Sequence, residues 1–255
     1  MTRLPAWFWP WAAWRDRGKT GTRPASAPAH IPAWFQARYL LHWAARRPAP
    51  PPPPRPRSPF ETKSVLGTYG MMNGDLRAAA LVVRAKQAGY TTVFGQFTLG
   101  NEVWLADLHD CCHVAELTFG LWDATPSPQR VRVLADYKPA LVMLESEGTV
   151  TDWAGIVSAL EQTLPCAPRA VITNMSGLDD AVLQAAGFVL MPECYQQDNP
   201  NATPANLDRD ARARGYQVVV PCVGVYHNYP LAGYLPLDSF CVYAAEYMSD
   251  ADWAA

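Results

Sequence analysis

The sequence is short of several features that would fix its class at once. It has no apolar run approaching the roughly 18 residues needed to span a bilayer, so no transmembrane helix is expected. Its six cysteines form no CxxC pair, which argues against structural zinc. Cys194, Cys222 and Cys241 each lie in an apolar run, where a thiol behaves as a small hydrophobe. Cys111 and Cys112 are adjacent, and Cys166 sits in a short proline-flanked loop, so reduced thiols are expected rather than a disulfide scaffold. A clean secretory signal is missing too. The opening stretch is aromatic, is broken by Pro5, Pro10 and Arg15, and meets no small-residue cleavage site.

The chain does have the means to bury a core: 255 residues, 49% hydrophobic and only 17% charged. A formal net charge of −2 conceals an asymmetry. Residues 1–60 carry ten Lys/Arg and one acid, Asp16, whereas the remainder carries eleven Lys/Arg against twenty-two Asp/Glu. Such an arm suits an anionic partner (a cell-wall polymer, a membrane surface, nucleic acid or an acidic protein) or is a solvated leader. It also holds six of the ten tryptophans, in two echoing segments that begin Pro5-Ala6-Trp7-Phe8 and Pro32-Ala33-Trp34-Phe35. Proline at the head of each suits a first helical turn, and Trp7, Trp11 and Trp14 would share one face. Pro48 to Pro54 reads as a polyproline spacer. The expected division is a basic Trp/Pro-rich arm over 1–60 and a globular domain over 61–255.

From Lys63 onward, apolar strand candidates alternate with amphipathic helices. The strands are Ser64–Tyr69, Thr92–Thr98, Leu117–Asp123, Ala140–Glu147, Ala170–Met175, Phe188–Tyr195, Val218–Tyr226 and Phe240–Met248. They show little polar alternation, as expected where helices cover one face and a barrel core the other. Helices are expected over Leu76–Ala88, Glu102–Val114, Gln129–Tyr137, Asp152–Thr163, Asp179–Ala186 and Ala205–Arg214, with a short last one over Asp250–Ala255. Thr151-Asp152 and Thr203-Pro204 look like helix starts, and Gly89, Gly187 and Gly215 like helix stops. Eight such units with no phosphate-binding glycine loop favour a compact (β/α)₈ TIM-type barrel over an open doubly wound sheet.

In such a barrel the chemistry sits where the strands end. Those ends read Tyr69, Gln96, Asp123, Glu145 with Glu147, Asn174, Glu193 with Tyr195, Tyr226-His227-Asn228, and Glu246. Clustered carboxylates raise one another's proton affinity, and one protonated plus one ionised carboxyl is what glycosidic cleavage requires. Trp122, Tyr195, Tyr226 and Tyr229 would offer faces for sugar rings. Each acid also has a structural alternative: Asp123 can cap the third helix, Glu145 can pair with a base on a neighbouring strand, and Glu246 can cap the last helix. His109 and His113 have metal-ligand spacing but read more simply as an exposed helix face.

The segment Pro139-Ala-Leu-Val-Met-Leu-Glu145-Ser-Glu147-Gly148 resembles the fourth strand of the barrel-type muramidases of bacteria and their phages, which ends in an acid-x-Glu motif. The resemblance implies that Glu147 is the general acid and that Glu145 is the preceding acid. Glu193 stands where that family places an Asp, and the first strand here ends in Gly-Thr-Tyr instead of an Asp. The Trp/Pro-rich leader joined to a small barrel also resembles lysins and tail-associated proteins of actinobacterial phages.

Two functions follow as expectations. The first is a glycoside hydrolase acting on a bacterial cell-wall or surface glycan. Catalytic Glu147, Glu145 and Glu193 would work with substrate-binding Asp123, Asn174, Tyr195, Tyr226, His227 and Glu246, without metal or organic cofactor. The alternative is a non-catalytic virion or glycan-binding barrel anchored to other virion proteins through residues 1–60. Either would be virion-associated or released at host lysis. Nucleic-acid binding through the arm is the poorest reading, because its bases are scattered among prolines and the barrel is acidic.

Overall fold

Eight parallel strands pair in sequence order and close on themselves, β1 against β8. In this computed structural model, the described residues are 55–68, 77–98, 100–148, 150–227 and 229–255. The two leader helices and the polyproline spacer expected from the sequence lie outside them, as do Tyr69 and Asn228. Residues Pro56–Ala255 form one compact unit.

The strands are β1 Lys63–Gly67, β2 Thr92–Gln96, β3 Thr118–Asp123, β4 Leu141–Ser146, β5 Arg169–Thr173, β6 Val189–Cys194, β7 Cys222–Gly224 and β8 Phe240–Tyr243. Between and after them run α1 Ala78–Gln87, α2 Glu102–Val114, α3 Pro128–Leu134, α4 Trp153–Thr163, α5 Asp180–Ala185, α6 Pro204–Ala213 and α7 Asp250–Trp253. The expected caps form: the side chains of Asp152 and Thr203 accept from Gly155 N and Asn206 N. Gly89, Gly187 and Gly215 take positive φ where their helices stop. Among the described residues, no helix is long and apolar enough to cross a membrane.

Alternation along each strand divides the apolar residues into two layers. Leu141 and Met143 of β4, Ala170 and Ile172 of β5, and Val189 and Met191 of β6 fill the barrel interior with Phe94 and Trp122. Phe60, just before β1, stacks on Phe94 within this layer. The intervening Val142, Leu144, Val171 and Leu190 face the helices and join Leu108, Leu134, Ile156 and Leu160 in an outer shell.

All eight strands are shorter than the apolar runs suggest, and two of them by half or more. β7 keeps only Cys222–Gly224, preceded by an isolated bridge between Leu190 and Val219. Pro221 has no N–H to give to the ladder and interrupts it, although its carbonyl still accepts from Cys241 N. β8 ends at Tyr243, because the chain then turns into a 3₁₀ segment, Ala245–Tyr247.

Candidate active site

At the C-terminal ends of β4, β5 and β6 the interior alternation continues past the apolar layer into polar residues. On β4 the inward series Leu141, Met143 goes on to Glu145 and Glu147. On β6, Val189 and Met191 go on to Glu193, and on β5, Ala170 and Ile172 lead to Asn174. The pairing of Glu145 with Ile172 and of Ile172 with Met191 sets Glu147, Asn174 and Glu193 one inward step higher, at a common level. These side chains line a cavity of about 470 Å³.

Glu145, Glu147 and Glu193 each offer a carboxylate oxygen, and the three oxygens lie within 4.8 Å of one another. Glu193 is 9% exposed. Its proton affinity is raised to about 8, first by burial and then by the charges of Glu145 and Glu147. Burial, followed by repulsion from Glu147, lifts Glu145 to about 7. The Trp122 indole pulls the other way by less than either, and among the described residues neither its Nε1 nor Glu145 Oε2, both buried, has a hydrogen-bond partner. Glu147 is exposed to solvent at the rim. Three such oxygens are also a donor set of the kind that holds a hard divalent cation.

The remaining wall is aromatic. Tyr195 lies tilted on Tyr243 at 5.8 Å and meets Tyr226 edge-on at 5.5 Å, while Tyr226 contacts Tyr247 at 6.0 Å. Tyr226 donates its hydroxyl hydrogen to Asp198, in the loop between β6 and α6. The Tyr234 hydroxyl fastens that loop, lying 3.0 Å from both Gln197 Oε1 and the Gly224 carbonyl. Small residues let the wall close. A Cβ on Gly224 would fall 2.8 Å or less from Tyr195, Tyr226 and Gln197.

Of the residues expected from the sequence, Glu145, Glu147, Glu193, Asn174, Tyr195 and Tyr226 converge on the cavity. Three do not. Asp123 belongs to the outward series of β3, because Gly120 and Trp122 take the inward positions. It is wholly buried against Arg130 of α3, whose Nε lies 3.0 Å from both carboxylate oxygens and whose Nη2 is 2.7 Å from Oδ1. Thr125 N occupies it further, so it has nothing left for substrate. Glu246 turns to the seam between β8 and β1, accepting from Thr68 N, and does not line the cavity. His227, at positive φ, is exposed with its ring edge-on to Tyr226.

The aromatic expectations divide likewise. Tyr229 hydrogen-bonds Gln196 and packs on Tyr234, and Trp122 stays in the interior layer. His109 pairs with the adjacent exposed Asp110 at 3.0 Å and presents its ring to Phe119. Tyr243, Tyr247 and Asp198 line the cavity without having been singled out in the sequence. The tyrosines had a signal in their place at the end of the eighth apolar run. Asp198 had none, since a loop residue carries no strand parity.

No family model and no curated protein matches the chain. Solved structures with similar barrels include the spore coat polysaccharide biosynthesis protein spsE of Bacillus subtilis, at 15% identity and a TM-score of 0.45, covering 68% of this chain and 62% of that one. Another is the α-L-fucosidase AlfC in a fucosyltransferase mutant form, at 10% identity and a TM-score of 0.40, covering 64% of this chain and 88% of that one. A third is a D-allulose 3-epimerase from a Methylomonas species, at 14% identity and a TM-score of 0.45, covering 71% of this chain and 82% of that one. At such identities the likeness is one of fold alone.

Proposed function

We propose that the chain is a glycoside hydrolase acting on a bacterial cell-wall or surface glycan. The observation that carries this reading is three carboxylates with oxygens within 4.8 Å of one another in a tyrosine-walled cavity, with no cation paired to any of them among the described residues. Paired acids whose surroundings push their proton affinities apart divide into donor and nucleophile. Burial gives Glu193 the proton, so Glu193 is the donor and the hydrated Glu147 at the rim is the attacking carboxylate. This reverses the role that the muramidase resemblance implies for Glu147.

In the first half-reaction, Glu193 passes its proton to the glycosidic oxygen as the bond from that oxygen to the anomeric carbon breaks. Glu147 then forms an ester with the same carbon. In the second half, Glu193 takes a proton from water, the water oxygen attacks the anomeric carbon, and the ester to Glu147 opens. The close set of the carboxyls suits this double displacement, for which separations of about 5–5.5 Å serve, better than single displacement across about 6.5–9.5 Å. Glu145 sits beneath both, and its charge, when ionised, helps hold the proton on Glu193.

For the setting we propose a phage lysin or tail-associated protein, released at host lysis or carried on the particle, with residues 1–60 engaging other virion proteins. Support for that lies in the Trp/Pro-rich basic leader alone. The test of the chemistry is release of new reducing ends from cell walls and capsule. Glu193→Gln and Glu147→Gln should each lose about 100-fold or more in rate, while Asp107→Asn on the exposed face of α2 keeps full activity. Equal rates in all three would sink the assignment, and inversion at the anomeric carbon would remove the covalent step.

A further inference from the structure

The cavity is charged in one sense only. Glu145, Glu147, Glu193 and Asp198 line it, and no Lys, Arg or His does so among the described residues. Asp123, which lies near enough to influence Glu145, has its own arginine, while the cavity acids have none. Glu193 is buried by nine-tenths and has no hydrogen-bond or ion-pair partner among the described residues. Glu145 Oε2 is likewise buried and unpartnered. Buried acceptors left this way are costly, and a positively charged donor brought in by a ligand relieves them.

The tyrosines point to the same ligand charge. Tyr195, Tyr226, Tyr243 and Tyr247 present aromatic rings to the cavity, and the negative face of an aromatic ring attracts a cation. A divalent metal would satisfy the carboxylates but would make no use of these rings. An organic ammonium uses both. A volume of about 470 Å³ fits one or two sugar rings.

We propose that the cavity takes an amino sugar with a free, protonated amino group, its ammonium donating to the unpartnered carboxyl oxygens of Glu145 and Glu193 and to Glu147 at the rim, and its ring laid against the tyrosine wall. The inference rests on the cavity being the glycan site proposed above and names the substrate class for it. An N-acetylated sugar loses the charge and leaves the carboxylates unpaired. A sugar acid, including a muramic acid lactyl group, meets no cation in the cavity among the described residues and must lie outside it. De-N-acetylated stretches of a wall or capsule glycan therefore become the preferred substrate.

The test uses the full chain, in EDTA and at slightly acid pH, with glucosamine tetrasaccharide, its fully N-acetylated counterpart and cellotetraose. Calorimetry reads binding, and reducing-end release reads turnover. The glucosamine tetramer should bind about 30-fold more tightly than either of the others, the discrimination expected of a charge-assisted hydrogen bond. Asp198→Asn should narrow that preference. Equal or tighter binding of the acetylated or neutral tetramer overturns the proposal, and hydrolysis of those substrates would leave the glycosidase reading standing. Glucosamine binding without new reducing ends keeps the proposal and removes the glycosidase reading. Binding of glucosamine tetramer only on addition of Mn²⁺ assigns the carboxylates to a metal and overturns it, as does no binding of any tetramer.

Discussion

Glu145 and Glu193 bring carboxylate oxygens within 4.8 Å of each other although β5 runs between their strands. Both occupy inward positions of strands whose earlier inward residues are apolar and packed. The energy that holds these two buried carboxyls together therefore comes from the layer beneath them, where Met143, Ile172 and Met191 are buried. Each such side chain contributes about 1.5–3 kcal/mol by leaving water.

Stability should fall as pH rises. Folded Glu193 holds its proton up to about 8, against an ordinary value of 4.5, and Glu145 holds its own to about 7. Through the window between 4.5 and those values the folded state binds more protons than the unfolded state. Stability contributed by these groups is then fully present below 4.5 and is lost as pH climbs through 7 and 8. Thermal unfolding should show the wild type losing Tm between about pH 5 and pH 8.5, the more so the fewer cations are present. Glu193→Gln should flatten the slope and raise Tm at the alkaline end by about 5 °C, the shift expected of roughly 2 kcal/mol in a domain of this size. An unchanged slope would mean that Glu193 is ionised in the folded state.

The pH dependence of hydrolysis should carry the same signature. A proton donor must be protonated in the free enzyme, so kcat/KM should decline on the alkaline side near 8. In Glu145→Gln, one source of that elevation is gone, and the limb should move to lower pH. A limb near ordinary carboxylate values would assign the donor elsewhere.

The Asp123–Arg130 pair predicts a stability effect without a catalytic one. Arg130→Met strands a fully buried carboxylate and should cost about 3 kcal/mol, read by urea unfolding. Asp123→Asn should cost less and leave KM unchanged, since the side chain faces away from the cavity. A raised KM in Asp123→Asn would restore it to the substrate site.

Glu147 lies next to a close backbone approach between two loops. Gly148 and Gly177 both have positive φ, and a Cβ on Gly177 would fall 2.5 Å from Gly148 Cα. Gly177→Ala should therefore combine backbone strain of about 1–2 kcal/mol with displacement of the neighbouring Glu147 and a fall in kcat. Gly89→Ala carries a similar positive φ but meets nothing within 4 Å, so it should lose stability alone. Equal activity in the two variants would mean that the loop contact does not position Glu147.

Much of this arrangement was legible in the sequence because the apolar runs of β4 and β6 end in acids that no helix cap or nearby base requires. Asp123 ends a run of the same kind, yet it is one residue out of phase: Trp122 takes the inward position, and Asp123 falls to the helix side, where Arg130 waits in the first turn of α3. Strand parity would have separated it from Glu145. Reading β8 through Met248 hid the 3₁₀ segment that aims Tyr247 into the cavity and turns Glu246 to Thr68. Asp198 depends on loop anchoring by Tyr234, a tertiary contact with no local pattern.

The two-layer interior also guards the acids against misplacement. A slip of one residue in β4 or β6 would send Leu144 or Cys194 into the polar mouth and drive Glu145 or Glu193 among the leucines of the helical shell. No such frame is tolerable for either layer, so the greasy residues act as a ratchet for the charged ones. A chain that closes this barrel at all has, by the same act, assembled its carboxylates.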